Sequence, residues 1–481
     1  MKKPFQIALF ALLSTYSLVS SSQDFKDQFN QFKTTNEKAY EKAIREQDSV
    51  FAKSIIDNWR AFQLTEPEEK EPELPKPEEQ PKADLGLEIK EILHKILEKP
   101  QSPKLMRSFN QPKLEKEENY TDFELSEGYV FHGEEVKFNY SGRFLKANDL
   151  TISNEHGLSE AWDVLSKSPY RNIVNTLYEK SLELNLPDYG YLLLIDSFLK
   201  ELDISDQSKA VYQWFLLAKS GYSVRVGLID KKPVLVVGSY GKIYGKRYFT
   251  ISGINYYVLS DRAGKFESYQ ADFDEDENPF DFALEGEIKL PLDPVKKDFQ
   301  YESKGKDINI SVYYNANMVK LLEQFPQSDL VYYLSSSSSD LLKKSVEKSF
   351  QPYLEGLNTV GKVQFLMTFV QKAFEYESDK VQFGKERVMY PEELFFHSSS
   401  DCDDRVVLLA YLLRTFTDVP MVALSFPQHV ALGLRLPSAT FGETIKYKGY
   451  TFTFCDPTYL NAPLGSVIPQ ADRSKISVID F

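Results

Sequence analysis

The rhythm of hydrophobic and polar positions changes several times along this chain. Over residues 23–64 the sequence is polar with a thin apolar stripe. Phe25, Phe29 and Phe32, and later Phe51, Ile55 and Trp59, recur at helical spacing and predict one or two exposed helices whose stripe packs. Residues 65–83, "TEPEEKEPELPKPEEQPKA", hold almost nothing apolar, and repeated proline keeps such a segment extended. They open a linker over 65–118 that includes a short helix near 86–98, "LGLEIKEILHKIL".

From residue 119 the pattern is that of a folded body. "YVFHGEEVKFNYSG" alternates like strands, whereas "SEAWDVLSKS" and "YGYLLLIDSFLKEL" carry helical periodicity. "SVRVGLID", "KPVLVVGSYG" and "KRYFTISGINYYVLSD" read as strands separated by turn residues. A strand-rich connection follows over 276–335, and helices fill about 338–378. The end of the chain, with "VPMVALSF", "HVALGLRL" and "YTFTFCDPTY", returns to strands. The fold class is α+β, with one folded unit over 119–275 and another over 336–481.

Those two units look alike. Shifted by 195 positions, Ser205 and Asp206 fall on Ser400 and Asp401, Leu217 on Leu412, and Asp261 on Asp456. Each stretch runs polar turn, helix, strand, strand, and a strand that leads to an aspartate. The pattern suggests a duplicated domain.

Composition narrows the classes of function. With 42% hydrophobic and 14% aromatic residues, the chain can build sizeable cores. A formal net charge of −14 disfavours nucleic acid as a partner. At the start, Lys2 and Lys3 precede the short apolar run "PFQIALFALLSTYSLV" and the small residues Ser20 to Ser22, the layout of a cleaved signal peptide over 1–22. The alternative is an uncleaved anchor. No later stretch is long enough for an integral membrane span. The expectation is an exported protein, periplasmic or extracellular.

Export sharpens the question of the two cysteines, Cys402 and Cys455, which could pair as a disulfide. Cys402 lies in the acidic turn "SSSDCDDR", which reads as exposed, where a helix begins. Unpaired N–H groups and the helix dipole favour a thiolate at such a position and can hold an oxyanion. His429, after a proline turn at the start of a strand, is a candidate base, and Asp456, at the end of the next strand, a candidate to orient it. If Asp456 faces His429, strand alternation turns Cys455 away from both, against a disulfide. In the earlier unit Gln207 falls at the position of Cys402 and Pro233 at that of His429, so only Asp261 is retained.

The motifs "DCDDRVVLLAYLLR", "PQHVALGL" and "YTFTFCDPTY" resemble the bacterial transglutaminase-like domain, a member of the papain-like cysteine enzymes, over roughly residues 340–470. The resemblance implies a papain-like core at the C-terminus, with a degenerate, non-catalytic copy upstream. It implies Cys402 as nucleophile, His429 as general base and acid, and Asp456 as the group that orients the imidazole. The implied activity is acyl transfer from protein or peptide amides: cross-linking, deamidation or hydrolysis. Ser400 stands where the family usually has glycine. None of the three tryptophans, Trp59, Trp162 and Trp214, lies in this region, so a second oxyanion donor is unassigned. His397, on the loop before Cys402, reads as solvated.

Neither cofactor nor metal is implied. There is no histidine and cysteine cluster at zinc spacing, and "DFDEDENPFDF" lacks the spacing of a helical calcium loop. Two further readings stay open: an inactive binding or assembly protein on the same scaffold, and a cysteine protease. The sequence leaves the oligomeric state open.

Overall fold

The computed structural model describes residues 41–69, 90–91, 125–273, 277–303, 305–436 and 442–481. The signal peptide, the Phe25–Phe29–Phe32 stripe, residues 70–83 of the Pro/Glu spacer and all but Lys90 and Glu91 of the helix expected over 86–98 lie outside the described residues. The protein combines helices with mainly antiparallel sheets, an α+β architecture.

Two six-stranded sheets dominate. The first runs Trp59–Ala61, Phe266–Tyr269, Val224–Ile229, Lys232–Ser239, Ile254–Val258, Tyr248–Ile251, with every neighbour antiparallel. The second runs Ser477–Ile479, Met421–Phe426, His429–Leu434, Tyr450–Cys455, Glu443–Tyr447, Lys90–Glu91, antiparallel except for the last pair. Without Trp59–Ala61 and Lys90–Glu91, the five remaining strands of each sheet take the same spatial order: fifth, first, second, fourth, third. A helix precedes and packs on each set, Asp206–Lys219 on the first and Cys402–Phe416 on the second.

Strand alternation divides the apolar residues between the two faces of each sheet. In the second, Ala423, Val430, Leu432, Leu434 and Cys455 join the core shared with the helices, while Val422, Leu424, Phe426 and Phe454 form a smaller cluster on the other face. The shared core is continuous from Phe51 to Leu464 and so runs through both halves. Rings carry it across: Tyr189 meets Phe325 at 5.4 Å between centroids, Phe325 meets Tyr390 at 6.2 Å, and Tyr390 meets Tyr333 at 4.5 Å.

Three expectations need correction. The helix over 41–57 is not exposed along its stripe. Phe51, Ala52 and Ile55 are buried, and Phe51 packs against Trp162, Trp214, Tyr269 and Phe273. Asp48, also buried, accepts a 3.1 Å hydrogen bond from Trp162 Nε1 and pairs with Lys219. Trp59 is not on that helix but starts a strand, because the sheet edge at Phe266–Tyr269 offers backbone partners there. Lys90 and Glu91 are strand rather than helix, paired with Glu443 and Thr444 at the edge of the second sheet.

Candidate active site

The helix Cys402–Phe416 starts with the cysteine at its first position and Asp401 as an extended N-cap residue. Asp403 and Asp404 follow in the first turn, where carboxylates complement the helix dipole. Its residues 402–413 are all buried. The acidic turn is therefore not exposed, contrary to its composition: Ser400, Asp401, Asp403 and Asp404 are covered, and Cys402 retains 2% of its surface. Local bonds make this burial tolerable. Asp404 Oδ1 accepts from Met389 N at 2.9 Å, and Arg405 donates from Nε to Ser400 Oγ at 3.2 Å and from Nη2 to the Phe374 carbonyl at 2.9 Å.

His429 is set by a two-residue turn. Phe426 and His429 close the hairpin, Pro427 enters it, and Gln428 takes the left-handed region at φ 59°. Proline followed by a residue at positive φ is the pattern of a type II turn. It delivers the imidazole at the first position of the strand. From the neighbouring strand, Asp456 accepts a 2.9 Å bond from His429 Nε2 onto Oδ2. The same oxygen accepts from Ile468 N at 3.0 Å, and Oδ1 accepts from Thr458 N at 2.9 Å. Burial by itself would raise the carboxyl's pKa. The charge of His429 and these three hydrogen bonds overcome that, and hold Asp456 below the ordinary carboxylate value. With Nε2 committed to Asp456, Nδ1 is the nitrogen that could serve a thiol.

His429 and Asp456 share the face that carries Phe426 and Phe454, whereas the cysteine helix packs on the opposite face. Arg405 follows in the first turn of that helix and is buried. Burial lowers its pKa, while Tyr376, Asp401, Asp456 and Cys402 all lie close enough to pull it up. Cys402 and Asp456 thus act on one guanidinium. Neither cysteine is in a disulfide, and Cys455 faces the shared core, its Sγ 3.5 Å from Met367 Sδ.

Beside this arrangement opens a cleft of about 570 Å³. Its lining includes Tyr301, Phe374, Tyr376, Arg405, Thr458 and Asn461, but neither Cys402 nor His429. Sequence reasoning missed the cleft, because its walls come from four separate stretches of chain. It also missed the group formed by Asp379, Asp401 and Asp403, whose carboxylate oxygens lie within 4.8 Å of one another. Buried carboxylates so close cannot all ionise without a counter-charge or a shared proton. Their spacing in the sequence follows no ligand pattern that would have flagged them.

Other candidate positions fall elsewhere. His397 is packed rather than solvated: its ring sits edge-on to Phe383 and Phe396, and burial pushes its pKa down to about 4. In the first sheet, Ile229 and Lys232 close the hairpin as Phe426 and His429 do, so Lys232 rather than Pro233 stands in the register of His429. Ser205 caps the upstream helix, which matches Cys402 with Asp206 rather than Gln207. Asp261 is not a buried relic: its side chain is 84% exposed and pairs with Lys246. In comparisons with known proteins, no family model, no curated protein and no solved structure matches this chain.

Proposed function

We propose that the protein is an exported, transglutaminase-like cysteine acyltransferase or amidohydrolase acting on protein or peptide amides. The buried His429–Asp456 couple, at the ends of two central strands of the sheet covered by the Cys402 helix, carries this reading. A deeply buried carboxylate that accepts three N–H groups and fixes one imidazole nitrogen is the arrangement a general base needs. In the reaction, Cys402 Sγ attacks the carboxamide carbon, and the N–H groups of the first helical turn receive the oxyanion. His429, having taken the thiol proton, returns it to the departing amine. Water or an amine then attacks the thioester while His429 accepts its proton.

The shared strand order of the two sheets, each following a helix, supports the further reading of a papain-like unit that was duplicated. In that reading the upstream copy, with Asp206 and Lys232 at the equivalent positions, has lost its chemistry. The experiment is labelling by a cysteine-directed amide probe. Labelling of the wild type that is lost in Cys402→Ala and weakened in His429→Ala supports an enzyme; unchanged labelling in Cys402→Ala removes the proposal. Ammonia release would indicate side-chain chemistry, and a new N-terminus proteolysis.

One observation favours a second reading. Cys402 is 2% exposed and lies on the helix that packs against the face opposite His429. A binding or assembly protein with a vestigial triad would keep the packing of this site without needing an open path to the sulfur.

A further inference from the structure

The cleft beside Arg405 has features that the catalytic reading leaves unused. Arg405 retains only 3% of its surface, and among the described residues no carboxylate lies within ion-pair distance of its guanidinium. Nε and Nη2 are spent on Ser400 and Phe374, which leaves Nη1 as the nitrogen with no hydrogen-bond partner among the described residues. Two lining groups are buried without a partner: Thr458 Oγ1, on a residue with 3% of its surface exposed, and Tyr301 Oη. Buried polar groups left this way cost free energy that a ligand can recover.

The wall holding Thr458 is firmly placed. Gln371 Nε2 donates to the carbonyls of Tyr459 at 2.9 Å and of Asp456 and Ala462 at 3.4 Å, pinning the turn after the strand. Thr458 also holds Asp456 through its own N–H, so the cleft and the His429 couple share a rigid segment. Phe374 and Tyr376 add apolar and aromatic surface.

We propose that this cleft is a substrate subsite for a peptide carboxylate next to an aromatic or apolar residue, read by Arg405 together with Thr458 Oγ1 and Tyr301 Oη. The inference rests on the reading of Cys402 as an acyl-transfer nucleophile, and it gives that reaction a substrate class: amides flanked by an acidic residue or by a free chain terminus. A guanidinium hydrogen bond to a carboxylate is charge-assisted and stronger than one between neutral groups. Two hydroxyls within one lining complete the set of donors a carboxylate can use.

Binding is measured with the full chain carrying Cys402→Ala, so that turnover plays no part. The first pair of probes is a fluorescein-labelled hexapeptide with glutamine followed by phenylalanine and aspartate, and its twin with asparagine in place of aspartate. The second pair ends in phenylalanine, either as the free acid or as the amide, and separates a terminal carboxylate from a side-chain one. In at least one pair the acid binds about tenfold more tightly than the amide, the size of one charge-assisted hydrogen bond. Arg405→Gln erases that preference. Thr458→Val, which keeps the N–H on Asp456, and Tyr301→Phe reduce it about threefold while the tryptophan fluorescence of the fold is retained. If Arg405→Gln does not fold, the Thr458 and Tyr301 variants decide the matter. Equal binding of acid and amide in both pairs overturns the subsite. An acid preference without turnover in the wild type keeps the subsite and rejects the enzyme; turnover without an acid preference does the reverse.

Discussion

Asp456→Asn perturbs the most constrained group of the site. Three N–H donors converge on this carboxylate, from Thr458 on Oδ1 and from Ile468 and His429 on Oδ2. Asparagine has nearly the same shape but only one acceptor oxygen, and its NH₂ donates. With the oxygen toward Ile468 and His429, the NH₂ opposes the Thr458 N–H. Turned over, it opposes two donors, and His429 can relieve the clash only by moving its proton to Nδ1. In either orientation a buried donor loses its acceptor, which costs about 1–3 kcal/mol of stability. Urea denaturation measures that cost. The functional effect is larger: without the charge that supports an imidazolium, amide-probe labelling of Cys402 falls by about a hundredfold or more. A folded Asp456→Asn protein that labels at the wild-type rate would refute the reasoning, since its histidine would be working without its carboxylate. The same carboxyl has a pH signature. Its folded pKa lies below the unfolded one, so its contribution is complete above about pH 4 and disappears as pH falls through the folded value. Asp456→Asn removes that acid-side dependence.

Three other outcomes are expected. Asp48→Ala breaks a pair whose two side chains are each 5% exposed and costs about 3–5 kcal/mol; adding Lys219→Met restores much of it, and the transition is read from the fluorescence of Trp162, which Asp48 contacts. A double variant as unstable as the single one would contradict this. Burial pushes the buried Glu392 and Glu393 carboxyls up to about 7, against an ordinary value of 4.5. The folded state therefore binds more protons between those values, and stability falls as pH rises through that window by roughly 1.4 kcal/mol per unit per group at most; melting temperatures that climb across the same window would exclude the effect. Finally, both thiols are buried, so a bulky disulfide reagent reacts slowly with the native chain and titrates two thiols only after unfolding. Fast native reaction of Cys402 would reveal an open form of the site.

Much of the fold was legible because alternation and helical periodicity are local. Val224–Ile229, Lys232–Ser239 and the three strands around His429 and Asp456 each announce themselves in a handful of residues. The His429–Asp456 contact was legible for the same reason: each stands at one end of a patterned strand, and adjacent strands bring the ends together. What depends on tertiary partners was not. Trp59 fits a helical stripe, yet a free sheet edge claims it. The turn at Asp401–Asp404 has the composition of a solvated loop, but it is buried, and Met389 N donates a hydrogen bond to Asp404. The cleft required Tyr301, Phe374, Arg405 and Thr458 to converge, which no local pattern encodes.

The apolar seam that runs through Tyr189, Phe325, Tyr390 and Tyr333 governs how this protein can be cut. Dividing the chain just after its first sheet would part Tyr189 from Phe325 and open the continuous core to water on both pieces. The upstream half thus serves as a wall for the other half, whether or not it performs any chemistry.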